Sequence, residues 1–407
     1  MDTEINFDFV IKNMNRVLKQ SIFSHMNELA LCHGAVNLGQ GFPDHQPPQG
    51  LIEAVHKALD TSAFQYFPSV GLPALRNVVS NILIQDWSVQ VDPTTEITIT
   101  AGATQGLADA IRSIIGIGDD VVLVDPSYDS YAPVIESTGA RCIRVPMGYD
   151  IEKGFSIDWE RIEQSILNTT KILILNNPHN PSGYLMNKID YEFLYNIMEK
   201  HPQLHLLGDE VYAYIVFDQP FHTFLKINDF RDRILVVHSF GKTYHCTGWK
   251  LGFVAGSASW MLKFRKAHEF NVFCVNSLLQ KAFTEFLPQD DSRHKIASFY
   301  KTQRDLMMSW INSGPFRAIP VQSTYFQWID YGNWAYQRDA SQRAFSDLQQ
   351  AEQWCRDAGC AMIPFSPFID PQKSWNHQLM RLCFAKSTEK INNAFQKLYD
   401  YLDFNKE

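Results

Sequence analysis

Ile234-Leu235-Val236-Val237-His238-Ser239-Phe240-Gly241-Lys242-Thr243-Tyr244-His245-Cys246-Thr247-Gly248-Trp249-Lys250-Leu251-Gly252-Phe253-Val254-Ala255 is a loop held between two apolar runs. Ile234–Val237 and Leu251–Ala255 read as buried strands, and the chain breaks between them at Ser239 and Gly241. The loop carries two lysines, Lys242 and Lys250, with Gly248 between them. A lysine at the end of a buried strand loses its proton cheaply, because desolvation disfavours the ammonium form. A neutral amine is what a carbonyl needs to form a Schiff base. The plainer alternative is a pair of solvated surface lysines.

Five further runs share the character of the first two: Ile97–Thr100, Val121–Val124, Cys142–Val145, Ile172–Leu175 and Leu204–Leu207. Seven short apolar runs, several separated by helical patterns, predict an α/β fold with a mostly parallel sheet covered on both faces. Ligands in such sheets sit beyond the carboxyl ends of the strands. Gly102, Ala103 and Thr104 follow the first run, and Asp125-Pro126-Ser127-Tyr128 the second. Asn176-Asn177-Pro178-His179-Asn180-Pro181-Ser182-Gly183, Asp209-Glu210-Val211-Tyr212, and Ser239 with Lys242 follow three others. A cap or turn explains any one of these clusters; five at one sheet edge ask for a ligand.

The chemistry of that edge is specific. Small residues opening a helix, here Gly102 to Thr104, offer free N–H groups to a phosphate. Ser239 and Lys250 add a hydroxyl and a positive charge. No Gly-x-Gly-x-x-Gly or Walker-type loop follows a strand, so a nucleotide fold is disfavoured. Asp209, just past an apolar strand, is either a cap or a carboxylate paired with a cation. A protonated pyridine nitrogen is such a cation, and a pyridoxal cofactor uses an Asp there together with a lysine Schiff base.

Outside the sheet, Phe23–His33, Pro47–Leu59, Leu75–Ile84 and Ile296–Ile311 read as helices. Ser323–Ile329 alternates like a strand, and Leu379–Phe384 reads as a strand carrying Arg381, which needs an acceptor if it faces inward. Asn37-Leu38-Gly39-Gln40-Gly41-Phe42-Pro43-Asp44 is a turn where backbone can approach a ligand closely. The 407 residues are 45% hydrophobic and 20% charged, enough for two lobes of a globular protein. A net charge of −8 without a basic block speaks against nucleic acid. Strand-sized apolar runs speak against a membrane span, and the start of the chain lacks a signal-peptide core. Seven scattered cysteines without Cys-x-x-Cys predict neither disulfide framework nor metal site, and a reducing, cytoplasmic setting.

In chain order, Gln40–Pro43, Tyr66 with Gly71 and Leu75-Arg76, Ala101–Thr104, Asp125–Tyr128, Asn180–Gly183, Asp209–Tyr212, Ser239–Lys242 and Arg381 form one pattern. It resembles the pyridoxal-phosphate-dependent aminotransferases of the aspartate aminotransferase superfamily (class I/II, fold type I). Asp125–Tyr131 and Phe240–His245 are most similar to the branch holding bacterial methionine aminotransferases and kynurenine/glutamine transaminases.

The resemblance implies a large cofactor lobe over 46–292, with a seven-stranded sheet, and a smaller α/β lobe from 1–45 and 293–407. It implies that Lys242 carries the cofactor aldehyde, that Asp209 pairs with the ring nitrogen, and that Asn180 and Tyr212 contact the phenolic oxygen. Tyr128 stacks on the ring, while Gly102, Ala103, Thr104, Ser239 and Lys250 hold the phosphate, helped by Tyr66 from the partner in a homodimer with shared sites. Arg381, Asn180 and the Gly41 backbone take the substrate carboxylate. Many relatives carry Arg where Lys250 stands, and a lysine lacks that two-pronged grip. Dicarboxylate-specific relatives carry an arginine in the stretch matching Phe270–Ser277, which here has Phe270 and Phe273 and no cation, so Phe273 and its neighbours, with Tyr128, are expected to give the substrate side chain apolar contact. The expected reaction moves the amino group of a neutral apolar or aromatic amino acid, methionine-like, to a 2-oxo acid. A β-lyase on the same site, which needs no oxo acid acceptor, and a non-catalytic pyridoxal-sensing module are the alternatives.

Overall fold

All seven apolar runs become strands of one sheet. The computed structural model describes residues 21–60, 64–337, 345–373 and 378–402. The strands are β1 (Ile97–Thr100), β2 (Asp120–Asp125), β3 (Arg141–Pro146), β4 (Thr170–Asn176), β5 (His205–Asp209), β6 (Ile234–Ser239) and β7 (Gly252–Gly256). They lie in the order β1-β7-β6-β5-β4-β2-β3. All are parallel except β7, which runs antiparallel to both neighbours.

Burial on both faces explains the continuous apolar runs. Val121 and Leu123 of β2 pack into one apolar cluster with Ile172, Ile174, Leu235 and Val237. Val122 and Val124, one residue out of phase, pack into the other with Leu173, Leu175, Ile234 and Val236. Side chains alternate along a strand, so each strand feeds two cores. The register then levels the strand ends: Asp209 pairs with Asn176 and Val237, and Gly252 with Thr100 and Ser239. Thr100, Asn176, Asp209 and Ser239 therefore stand along one edge.

Helices form where the apolar spacing places them, with ends set by local chemistry. α1 (Ile22–His33) starts where the Ser21 hydroxyl accepts from the Ser24 amide, and ends at Gly34 in the left-handed region. α2 (Gln49–Leu59) follows, and α3 (Pro73–Trp87) opens on its proline. α4 (Ala103–Arg112) leaves β1 through Gly102, α5 (Phe240–Thr243) turns the chain after β6, α6 (Ala258–Val272) follows β7, and α7 (Ser292–Asn312) leads out of the large sheet.

A second, antiparallel sheet of β8 (Arg317–Ile319), β9 (Phe326–Asp330), β10 (Ile363–Pro364) and β11 (Leu379–Cys383) lies in the order β8-β9-β11-β10. Here the expected strand over 323–329 starts late. Thr324 takes φ +66, which breaks the pleat, and Ser323 bridges to Val216 instead while its hydroxyl donates to the Gly183 carbonyl. Residues 323–325 are thereby drawn from the small sheet toward the edge of the large one. Tyr325 to Trp328 are all buried, so the alternation seen in the sequence does not divide a core face from a wet one.

Candidate active site

The leveled strand ends surround a cavity of about 160 Å³ lined by Gly102, Ala103, Thr104, Tyr128, Asn176, Asn180, Asp209, Tyr212, Ser239, Lys242, Lys250 and their neighbours. Short connections put Lys242 there: β6 ends at Ser239 and the single turn of α5 directs Lys242 inward. Its amine meets the cavity but is otherwise enclosed, and burial lowers it to about 8. The Nζ donates to the Gly41 carbonyl at 3.3 Å and lies 5.6 and 5.7 Å from the ring centres of Tyr212 and Tyr325. A lysine so placed is a nucleophile and a base near neutral pH.

Opposite it, the anion cradle is backbone. Gly102 holds φ +78 at the start of α4, and no side chain caps that helix, so its first N–H groups remain free for an anion. A Cβ on Gly102 would stand 3.3 Å from Cε and 3.5 Å from Nζ of Lys250, which places that ammonium at the cradle's rim. Lys250 itself sits in the left-handed region at φ +53, and β7 starts two residues later at Gly252. A side chain on Gly252 would run into the His238 carbonyl.

Asp209 is 4% exposed and ends β5. Its Oδ2 accepts from the Tyr131 hydroxyl at 2.6 Å and its Oδ1 from the Val211 N–H at 3.2 Å. The Val211 bond is the turn cap considered above, so the cap reading is part of the answer. Two donors do not offset the loss of water, and burial pushes Asp209 up to about 6. A carboxylate with this surplus proton affinity is built to face a cation.

Behind Asn180, which lines the cavity, stands Arg381, 1% exposed on β11. Nη1 donates to Asn180 Oδ1 at 3.0 Å and Nη2 to the Gly39 carbonyl at 3.2 Å, while Nε has no partner. Its guanidinium lies 4.0 Å from the Phe326 ring centre, with Phe368 and Phe23 at 4.9 and 5.2 Å. Burial in this aromatic box lowers Arg381 to about 10. Among the described residues no carboxylate hydrogen-bonds it, Asp129 acting on it only through space, so its donors are available to an entering anion. Gly39 and Gly41 have no room for a Cβ: one would meet Ile363 and the other Phe326 at 2.9 Å. Close backbone approach is the reason for the glycines in that turn.

Tyr66 and Phe273 are not among the cavity's lining residues. They are 76% and 60% exposed and meet edge to face at 5.1 Å, beside the exposed Phe64 and Phe270. The sequence reading gave no role to Tyr131, Tyr325 or Phe326. Tyr131 stood inside a quoted motif, but nothing in its spacing shows that its hydroxyl reaches Asp209. Among the described residues no group of His, Cys, Asp and Glu could hold a metal, and all seven cysteines are free. No helix among them is long and apolar enough to cross a membrane.

An amine, a buried carboxylate in want of a cation and an anion cradle are the three partners a pyridoxal phosphate needs for its aldehyde, its ring nitrogen and its phosphate. The residues present fit that group. The family model described as "Aminotransferase class I and II" matches residues 33–398. The chain is 35% identical to the methionine aminotransferase of Escherichia coli, over 94% of this chain and 96% of that one. It is 30% identical to a probable N-succinyldiaminopimelate aminotransferase of Mycobacterium tuberculosis, covering 93% and 95%. A solved structure of an Escherichia coli protein with methionine aminotransferase function superposes with a TM-score of 0.87 at 34% identity, covering 94% and 97%.

Proposed function

The chain belongs to the class I and II aminotransferases, and from that premise we propose that it transfers the α-amino group of a neutral apolar or aromatic L-amino acid, methionine-like, to a 2-oxo acid. The observation that carries this reading is the placement of Lys242 and Asp209 in one cavity with an anion cradle, and of Arg381 against the cavity residue Asn180. When bound, pyridoxal phosphate supplies an aldehyde that takes the amino group and a ring that accepts an electron pair.

The chain's own residues do the rest. Gly102, Ala103, Thr104, Ser239 and Lys250 hold the phosphate, Tyr128 flanks the ring, and Asn180 and Tyr212 meet its phenolic oxygen. Arg381, with Asn180 and the Gly41 backbone, fixes the substrate carboxylate and so fixes which bond at Cα faces Lys242. The neutral Lys242 amine then takes the Cα proton. Asp209 keeps a proton on the ring nitrogen, which makes the electron pair easier to accept. In this proposal residues 46–292 form the cofactor lobe, and 1–45 with 293–407 the smaller one. A cytoplasmic setting is consistent with seven unpaired cysteines.

Substrate preference rests on the absence of a spare cation. Among the described residues lining the cavity only Lys242 and Lys250 are cationic, and both have duties; Arg381 serves the α-carboxylate. A side-chain carboxylate left unpaired there costs several kcal/mol. With one fixed oxo acid, kcat/KM for methionine or phenylalanine should exceed that for aspartate by about 100-fold or more. Aspartate as the best donor in this comparison would defeat the substrate assignment.

We place Tyr66, and Phe273 beside it, at the site of a partner subunit in a homodimer, because a single chain leaves both exposed. Tyr66→Phe should then weaken cofactor retention by roughly tenfold, the worth of one hydrogen bond to a charged group. Sedimentation should show a dimer as the active species. A monomer with full activity contradicts the shared site.

A further inference from the structure

The turn over 39–42 is held through its carbonyl oxygens. Arg381 donates to that of Gly39 at 3.2 Å, Lys386 to that of Phe42 at 2.8 Å, and the Gly41 oxygen accepts twice, from the Tyr325 hydroxyl at 2.8 Å and from Lys242 Nζ at 3.3 Å. Tyr325 is fully buried and meets Tyr212 edge to face at 5.2 Å. The break at Thr324 described above is what brings Tyr325 here rather than into the small sheet.

A carbonyl oxygen has two lone pairs. If both were free, it would favour the ammonium form of Lys242, because a hydrogen bond from a charged donor is about twice as strong as one from a neutral donor. The phenol takes one lone pair and draws electron density from the other. What remains suits a neutral amine, whose N–H points at Gly41 and whose lone pair points elsewhere. We propose that Tyr325 is a positioning residue for amino transfer: by occupying the Gly41 carbonyl, its hydroxyl keeps the released Lys242 amine aimed and neutral, ready to accept a proton. The inference rests on Lys242 being the base.

Other groups facing Lys242 bear on its charge: Asp209 and Tyr212 beyond β5, Lys250 before β7, and Arg381 and Cys383 on β11; of these Tyr212 hydrogen-bonds the Tyr325 side chain and loses that bond in Tyr325→Phe, whereas the fluorinated protein keeps it. Arg381 and Lys386 pin the turn independently of Tyr325, so Tyr325→Phe removes one hydroxyl without releasing the Gly41 carbonyl.

The test compares wild type, Tyr325→Phe and a protein carrying 3-fluorotyrosine at 325, a stronger donor of nearly the same shape. Two quantities are read on the full-length holoenzyme in its aminated form, in which the Lys242 amine is free. One is the pH profile of single-turnover amino transfer; the other is the pH profile of Lys242 acylation by a small activated ester, followed by peptide mass spectrometry. For Tyr325→Phe both acid limbs should move up by about one pH unit, which is about a tenfold loss of rate on that limb, with KM for the oxo acid within about twofold. The fluorinated protein should move both limbs down. A raised KM with unmoved limbs means that Tyr325 merely braces the turn, and overturns the proposal. So does a fluorinated protein that titrates as wild type, even where Tyr325→Phe fails to fold. A separate result, normal turnover by Lys242→Ala, would instead remove the role of Lys242 itself, whatever Tyr325 does.

Discussion

Lys242→Ala should retain less than about one part in 10⁴ of wild-type amino transfer, because one side chain serves as both nucleophile and base. Lys242 is the cavity amine that burial brings to about 8, within reach of physiological pH, whereas Lys250 is solvent-exposed and stands at the cradle's rim. Lys250→Ala should therefore weaken cofactor binding and leave the chemistry of the bound enzyme largely in place, and the contrast separates the two lysines. The alanine variant also vacates the space in front of the Gly41 carbonyl, so small primary amines should restore part of the rate in proportion to their concentration. Borohydride treatment should fix the cofactor to the wild-type peptide containing Lys242 and leave that peptide unmodified in the variant. Normal single-turnover rates in Lys242→Ala would remove the mechanism.

The large sheet was legible because its strands are buried on both faces. Such strands appear as uninterrupted apolar runs, and each of the seven found its place within a residue or two. The edge chemistry was legible for the same reason: polar residues directly after apolar runs have few places to go. Residues before β9 were not legible. Ser323 to Ile329 alternates on paper, but Thr324 turns left-handed and Tyr325, Phe326 and Trp328 are all enclosed, so periodicity carried no information about what they face. Hydroxyl targets were hidden too. That Tyr131 reaches Asp209 and Tyr325 reaches Gly41 depends on separations of 78 and 284 residues along the chain. That Tyr66 serves a site other than its own chain's came from the resemblance alone; neither spacing nor residue type says so, and nothing in the sequence says that Phe273 stays outside its own chain's cavity.

Asp209→Asn should lower kcat by about 10³-fold, the loss expected from removing one preorganised electrostatic partner, while leaving the fold intact. Its effect on the cofactor-free protein should have the opposite sign. Burial lifts Asp209 from the ordinary 3.8 to about 6 in the folded chain, so the fold binds that proton more tightly than the unfolded chain does. The stabilisation from this group is then complete below about pH 4 and is lost as pH rises through about 6. Above that, the ionised carboxylate sits in the site at a cost on the order of 3 kcal/mol at most. An asparagine cannot ionise and escapes the cost. It recovers only part of it, because the Tyr131 hydroxyl and the Val211 N–H both donate to Asp209, and an amide offers one acceptor while its NH₂ faces the other donor. Cofactor-free Asp209→Asn should thus melt higher than cofactor-free wild type at pH 7.5, the two should converge near pH 4, and added pyridoxal phosphate should raise the melting temperature less in the variant. Carboxylate and ring nitrogen are coupled in this view: the bound cation relieves the same strain that the amide removes. Equal kcat values together with superimposable melting profiles would reduce Asp209 to a cap on the turn at Val211.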